Sequence, residues 1–130
     1  MIKKTRVAVT TVGSAGSATG TGTTEVVIKG RIVRVDVNFN ASAPAGTTDL
    51  TLAQTNEDQA ENIVNLTDTA TDVTIYPTVQ LTDNTGTART MDGTRPLVDY
   101  YPVSDTLTAT VSQSDALTDA AVLEIYYEES

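Results

Sequence analysis

The fold class of this chain is decided by residues 31–40, RIVRVDVNFN. Apolar and polar side chains alternate along the stretch. One face would carry Val33, Val35, Val37 and Phe39, and the other would carry Arg34, Asp36 and Asn38. A period of two predicts a β-strand with one face in a core. Because a slip of one residue would bury the charged face, the register of this strand is well specified.

The rest of the sequence has the composition of an all-β protein. Of its 130 residues 25 are Thr, and Val is also frequent. β-Branched side chains lose rotamer freedom in a helix and pack well on a sheet. Further strand patterns, separated by turn residues, occur at 4–12, 25–28, 48–53, 62–66, 72–76, 77–82, 96–101, 106–112 and 121–128. We therefore predict an all-β fold: an antiparallel β-sandwich, jelly-roll-like, with residues 1–130 as a single domain.

The N-terminal part of the chain departs from this pattern. Residues 13–22, GSAGSATGTG, contain no large side chain. Such a composition is typical of a flexible connection. We therefore predict a flexible N-terminal region, in which residues 1–24 form an extended arm joined to the sandwich by this tract.

Charge is distributed unevenly along the chain. Residues 1–34 contain six basic residues and one acidic residue, whereas residues 35–130 contain two basic and sixteen acidic residues. The N-terminal part could dock on an acidic partner, or neighbouring strands could display these cations on one solvated face. The overall charge of −9 disfavours nucleic acid as a partner.

The residue types present exclude most familiar catalytic chemistry. The chain has no His, Cys or Trp, so it cannot form a Ser-His-Asp triad, a Cys-His pair or a zinc finger. Carboxylates for glycoside hydrolysis are available at Asp99, Asp105, Asp115 and Glu124, but aromatic platforms for a sugar are scarce. We expect a protein that is not an enzyme, with no catalytic residues and no cofactor. No apolar run approaches the roughly 18 residues of a membrane span, so we expect no membrane partner.

One pair of loops offers oxygen ligands for a metal ion. Asp83-Asn84-Thr85-Gly86 and Asp92-Gly93 combine carboxylates with glycine, which suits calcium. The spacing matches no EF-hand, and an Asx turn in a hairpin explains the same residues. We predict turns and no metal site, with calcium as the alternative.

Four of the five tyrosines occur in two adjacent pairs, Tyr100 with Tyr101 and Tyr126 with Tyr127. Neighbouring residues of a strand point to opposite faces of the sheet. We therefore predict that one ring of each pair fills the core and the other points outward. The outward rings could cap an ordinary sheet face or form a contact between proteins.

Two segments resemble parts of small structural proteins of tailed-phage virions: residues 92–103, DGTRPLVDYYPV, and residues 120–129, AAVLEIYYEE. The opening TRVAV at residues 5–9, followed by the Gly/Ser/Ala/Thr tract, is similar to the N-terminal regions of such proteins. The resemblance implies a capsid decoration, or cement, protein. Proteins of this kind are small, β-rich and often trimeric, and they clamp neighbouring capsomers on the outside of the head.

The resemblance also implies partners and contact residues. The partners would be the major capsid protein and further copies of the chain, as a homotrimer, on the outer surface of the virion. The expected contacts with capsid or subunit are Lys3, Lys4, Arg6, Tyr100, Tyr101, Tyr126 and Tyr127. In this hypothesis the arm carries Lys3, Lys4 and Arg6 to carboxylates of the capsid, where it could add a strand to an exposed edge.

Two other functions fit the same sequence. The first is a tail, head-fibre or baseplate β-module that contacts a host surface or glycan. The second is a carbohydrate-binding or hydrolytic β-sandwich outside this setting, which the scarcity of aromatic residues disfavours.

Overall fold

The computed structural model describes residues 1–59 and 61–130. Within them the chain forms β1 (Ile2–Val9), β2 (Ala18–Thr23), β3 (Ile28–Phe39), β4 (Asp49–Gln54), β5 (Asn62–Leu66), β6 (Val73–Ile75), β7 (Thr78–Gln80), β8 (Val98–Asp105), β9 (Leu107–Ser114) and β10 (Ala121–Glu129). Every pairing between these strands is antiparallel.

The strands form two facing sheets. The six-stranded sheet has the order β1-β10-β3-β8-β7, and β6 pairs with β3 beside β8. The four-stranded sheet has the order β2-β9-β4-β5. The chain passes between the sheets at each step from β1 to β4, and β9 and β10 return between the first four strands, which is the jelly-roll arrangement. The predicted all-β sandwich is therefore confirmed.

The core lies between the two sheets and is filled from both. Strand β10 lies between β1 and β3 and contributes Leu123 and Ile125, both fully buried. The four-stranded sheet contributes Leu50, Leu52 and Leu107 from the opposite side. Burying each of these side chains stabilises the fold by about 1.5–3 kcal/mol.

Strand β3 contains a β-bulge at Val33. Tyr126 lies opposite Arg34, but Tyr127 lies opposite Ile32, so Val33 is an extra residue on β3. Ile32 is fully buried, whereas Val33 is only half-buried. The prediction that Val33 shares the core face with Val35 is therefore wrong, because the bulge interrupts the alternation.

The N-terminal residues do not form an arm. Strand β1 pairs with β10 along its whole length, from Ile2 opposite Glu128 to Val9 opposite Ala121. Strand β2 pairs with β9. The prediction of a flexible region over residues 1–24 is wrong, because Val7 and Val9 hold β1 in the core. The strand predicted at residues 25–28 is also misplaced, since Ile28 begins β3.

The glycines of β2 allow this strand to pack closely against β1 and the residues that follow it. A Cβ atom at Gly22 would lie 2.5 Å from the carbonyl oxygen of Ala8, and one at Gly20 would overlap the carbonyl oxygen of Thr10. Strand β2 can therefore cross close to the edge of β1 only because these positions lack side chains. The small residues that suggest flexibility in the sequence allow the two sheets to meet here.

A projection follows β7. Residues 81–97, which we call the knob, include no buried residue. Three backbone hydrogen bonds close a ring at its base: Leu81 N–H donates to the Leu97 carbonyl (2.8 Å), Leu97 N–H to the Arg89 carbonyl (3.1 Å) and Arg89 N–H to the Leu81 carbonyl (2.8 Å). The knob is therefore held by its own backbone rather than by the core.

Candidate functional site

The solvent side of the six-stranded sheet, which we call the outer face, brings together charged and aromatic side chains from distant parts of the sequence. One row across the sheet consists of Lys4 on β1, Tyr126 on β10 and Arg34 on β3. The next row consists of Arg6, Glu124, Asp36 and Thr74. The pairing of the four strands places these residues side by side.

The Tyr126 ring lies between two cations. The guanidinium carbon of Arg34 is 4.6 Å from the ring centre, and the Lys4 Nζ is 5.8 Å from it. Both distances allow a cation–π interaction. Tyr126 is half-buried, with the two cations beside its ring.

Arg34 also binds Asp36 with two hydrogen bonds. Its Nε donates to Asp36 Oδ1 (2.9 Å) and its Nη2 to Asp36 Oδ2 (2.7 Å). The Thr74 hydroxyl donates to Asp36 Oδ1 as well (2.9 Å). The hydrogen bonds from Arg34, and to a smaller extent the one from Thr74, hold the pKa of the Asp36 carboxyl below its usual value. In turn, the hydrogen bond to Asp36 raises the pKa of Arg34. The centre of the outer face is therefore charged, and hydrogen bonds join its side chains.

The basic N-terminal residues meet acids of the C-terminal strand. Lys3 Nζ lies 2.8 Å from Glu129, which raises the pKa of Lys3, and Lys4 Nζ lies 3.5 Å from Glu124. The uneven charge along the sequence is thus partly neutralised by the pairing of β1 with β10. Arg6 is exposed and forms no ion pair within the part of the chain that the structure describes.

The two tyrosine pairs divide between the core and the outer face, as the alternation predicts. Tyr101 and Tyr127 are each 6% exposed, whereas Tyr100 is 44% exposed and Tyr126 is half-buried. The expectation that Tyr101 and Tyr127 contact another protein is therefore wrong, because their rings fill the core. Lys3, Lys4, Arg6, Tyr100 and Tyr126 remain available at the surface.

Exposed apolar side chains lie on the outer face at β8 and after β6. Val98 and Tyr100 project from the same side of β8, opposite the buried Tyr101. Tyr76 is 65% exposed and directly follows Ile75, which pairs with Val35 on β3. We call Tyr76, Val98 and Tyr100 the tyrosine patch. Sequence reasoning missed Tyr76, although its place at the end of a predicted strand and before Pro77 was a usable signal.

Asp83 and Asp92 serve as turn caps at the two tips of the knob. Asp83 Oδ1 accepts hydrogen bonds from the Thr85 N–H (2.9 Å) and the Thr87 N–H (3.0 Å). Asp92 Oδ1 accepts from the N–H groups of Thr94 (3.0 Å) and Arg95 (2.8 Å). The predicted Asx turns are confirmed. The Thr85 hydroxyl, and then the backbone bonds, lower the pKa of Asp83, and the backbone bonds from Arg95 and Thr94 lower the pKa of Asp92.

The other candidate carboxylates hold local structure. Asp105 accepts from the Asn56 backbone N–H (2.6 Å) and side-chain amide (3.0 Å), and Asp115 accepts from the Gly16 N–H (2.9 Å). Asp99 lies 3.8 Å from Arg31. Among the described residues, no three carboxylate, imidazole or thiol side chains converge as a metal site would require. The described residues include no helix with the length and apolar character needed to cross a membrane.

Comparison with known proteins gives a distant structural similarity. No protein-family model and no curated protein sequence matches the chain. Two mutants of the family 29 carbohydrate-binding module CBM29-2 align with TM-scores of 0.37 and 0.36 at 12% identity, over 98% of this chain and 81% of theirs. A further structure, a carbohydrate-binding module of family 29, aligns with a TM-score of 0.36 over 97% of this chain and 77% of its own. The similarity concerns only the overall fold.

Proposed function

We propose that this chain is a non-enzymatic structural protein of a phage virion that binds the outside of the capsid and stabilises the head shell. The proposal rests on the virion-like segments at residues 92–103 and 120–129 together with the outer face. The observation that carries it is the exposed Arg6, held beside Lys4 on a fully paired strand.

A rigid strand presents these cations differently from a flexible arm. The side chains of Lys4 and Arg6 project from a backbone that is already ordered, so binding costs little further backbone entropy. Lys4 shares Glu124 with the Tyr126 hydroxyl, which leaves Arg6 as the cation best able to meet a carboxylate of a partner. Such a charge contributes mainly to the rate and specificity of association.

Stabilisation of the shell would follow from mass action. A subunit that binds only the assembled, expanded shell stabilises that state. The stabilisation grows with the logarithm of the ratio between the concentration of free subunit and its Kd. No chemistry beyond binding is required, in agreement with a surface of ion pairs and tyrosines.

Immunogold electron microscopy of virions that carry this protein tests the proposal. We expect an antibody against the chain to label the heads, with virions of a deletion strain as the unlabelled control. Label confined to tails would contradict a head location and favour the host-contact function. No label on any particle would contradict both.

A second function, contact with a host glycan from a tail, head fibre or baseplate, is favoured by one observation. The rings of Tyr76 and Tyr100 are 65% and 44% exposed, and such rings are suitable surfaces for a sugar. A glycan array probed with the wild-type chain and with Tyr100→Ala tests it. Binding that the substitution abolishes would support this function, whereas an array without signal would contradict it.

A further inference from the structure

The outer face is slightly basic, although the protein as a whole is acidic. Five basic residues occupy its solvent-facing strand positions: Lys4, Arg6, Lys29, Arg31 and Arg34. Three acidic residues do so as well, and a fourth lies beside Arg31: Asp36, Glu124, Glu128 and Asp99. The face therefore has a net charge of +1, whereas the three basic and thirteen acidic residues elsewhere give −10. An anionic ligand is attracted to this face and repelled by the rest of the surface.

Strand pairing brings the two tyrosines of the patch together. Tyr100 on β8 lies opposite Thr78 on β7, and Tyr76 comes two residues before Thr78. Their rings are 44% and 65% exposed. An exposed ring of this kind combines a flat apolar face with a polar tip. Two such rings side by side suit the C–H face of a sugar.

Arg31 lies next to the patch. On β8, Pro102 follows two residues after Tyr100, points to the same side of the sheet and lies opposite Arg31 on β3. Arg31 and Tyr100 are therefore diagonal neighbours on the outer face, about 7–8 Å apart. A ligand that covers the Tyr100 ring can reach the Arg31 guanidinium.

The guanidinium of Arg31 has room for a carboxylate, whereas that of Arg34 does not. Arg34 uses two nitrogens to bind Asp36, at 2.9 and 2.7 Å. The Arg31 side chain is 55% exposed and its Nη1 lies 3.8 Å from Asp99, which is longer than the about 2.7–2.9 Å of a charge-assisted hydrogen bond. Glu128 lies opposite Arg31 on β10 without forming an ion pair with it. The planar fork of Arg31 can therefore bind both oxygens of a carboxylate.

We propose that Arg31 and the tyrosine patch form a binding site for an acidic glycan, in which a sugar ring packs on Tyr100 and its carboxylate binds Arg31. The inference deepens the second function, contact with a glycan, and rests on it. It is separate from the capsid contact, because β1 with Arg6 lies three strand spacings, about 14 Å, from β8.

Two other anionic ligands fit this surface less well. Strand β8 pairs with β3 on one edge and with β7 on the other, so the patch offers no free edge to which an acidic peptide could add as a strand. A nucleic acid carries a charge on every nucleotide, and the −10 of the remaining residues would repel the part that extends beyond the outer face. A glycan with separated carboxylates meets neither obstacle.

Isothermal titration calorimetry of the full chain with two hexasaccharides tests the inference. Hexagalacturonate carries a carboxylate on each sugar, and cellohexaose is its neutral counterpart. We expect hexagalacturonate to bind about tenfold more tightly, and its affinity to fall as salt concentration rises. Arg31→Gln should weaken hexagalacturonate binding about tenfold and leave cellohexaose binding unchanged. Tyr100→Ala should weaken the binding of both.

Lys29→Gln is the matched control. It removes the same charge from the same face of β3, but Lys29 lies opposite Ser104, away from the tyrosines. Its affinity for hexagalacturonate should equal that of the wild type, and all variants should keep the wild-type circular dichroism spectrum. Equal losses in Arg31→Gln and Lys29→Gln would overturn the inference, because the face would then act only through its total charge.

Failure of the inference and failure of the second function give different results. Cellohexaose bound as tightly as hexagalacturonate would overturn the inference and leave the glycan contact in place. No binding of either hexasaccharide would overturn both. Oligothymidylate bound more tightly than hexagalacturonate would overturn the inference in favour of a nucleic acid. Head labelling by immunogold is independent of these results and tests the capsid function alone.

Discussion

Arg34 places its guanidinium carbon 4.6 Å from the centre of the Tyr126 ring while its nitrogens bind Asp36. The bulge at Val33 makes this arrangement possible. Ile32 and Arg34 are two residues apart and would face the same side of a regular strand, so without the bulge either Ile32 would leave the core or Arg34 would enter it. The bulge therefore lets the same strand complete the core and organise the outer face.

The first prediction concerns Arg34→Lys. Lysine keeps the charge but loses the fork of donors that binds both oxygens of Asp36. We expect a lower thermal midpoint than in the control Arg89→Lys, because Arg89 forms no ion pair among the described residues. Equal midpoints for the two variants, measured by circular dichroism, would show that the Arg34 contacts add no stability.

The second prediction concerns Gly22→Ala. The new methyl group would lie 2.5 Å from the Ala8 carbonyl oxygen and 3.0 Å from a methyl of Val7, so β1 and β2 would have to separate. We expect a loss of about 1–3 kcal/mol in the free energy of unfolding in urea. The control Gly46→Ala meets no atom within 4 Å and should be nearly neutral. Unchanged stability in Gly22→Ala would contradict the close packing of these strands.

The third prediction concerns alkaline unfolding. Burial, and then the nearby Glu61 and Glu57 carboxylates, raise the pKa of Tyr101 above its ordinary value of 10.0. The unfolded chain therefore ionises this residue at lower pH than the folded chain. Its contribution to stability is complete below pH 10 and is lost as pH rises through the folded-state pKa.

Urea titrations between neutral and alkaline pH measure this effect. Tyr101→Phe should make the alkaline loss of stability shallower, since phenylalanine cannot ionise. Tyr100→Phe, which changes an exposed ring, serves as the control. If Tyr101→Phe and wild type lose stability in parallel, the assignment to Tyr101 is wrong.

The fourth prediction concerns calcium. The carboxylates of Asp83 and Asp92 already accept hydrogen bonds from their own loops. We expect neither added calcium nor a chelator to shift the thermal midpoint. A calcium-dependent rise that disappears in Asp83→Asn would establish a metal site in the knob.

Much of the fold follows from local sequence patterns. Alternation predicts the strands around Val35, Leu107 and Leu123, and it predicts that one ring of each tyrosine pair is buried. Strand β2 escapes prediction because Gly20 and Gly22 have no side chains whose period could be detected. The reason for glycine at these positions is the close approach of β1, which lies earlier in the sequence and packs against them in the folded chain.

The outer face was less predictable than the fold. Lys4, Tyr126 and Arg34 meet because strands from both ends of the chain pair with one another. Local sequence patterns do not show which distant strands pair. The sequence shows an excess of cations near the N-terminus, but it does not show that Glu124 and Glu129 lie opposite them. The tract of small residues at 13–22 therefore suggested an arm, whereas residues 2–9 form a strand of the sheet.

Cosedimentation of the purified chain with expanded heads that lack it tests the central claim most directly. We predict saturable binding by the wild type, equal binding by the control Arg89→Glu in the knob, and about tenfold weaker binding by Arg6→Glu. No binding by the wild type would contradict a capsid function, and equal binding by Arg6→Glu and Arg89→Glu would contradict the role of the outer face.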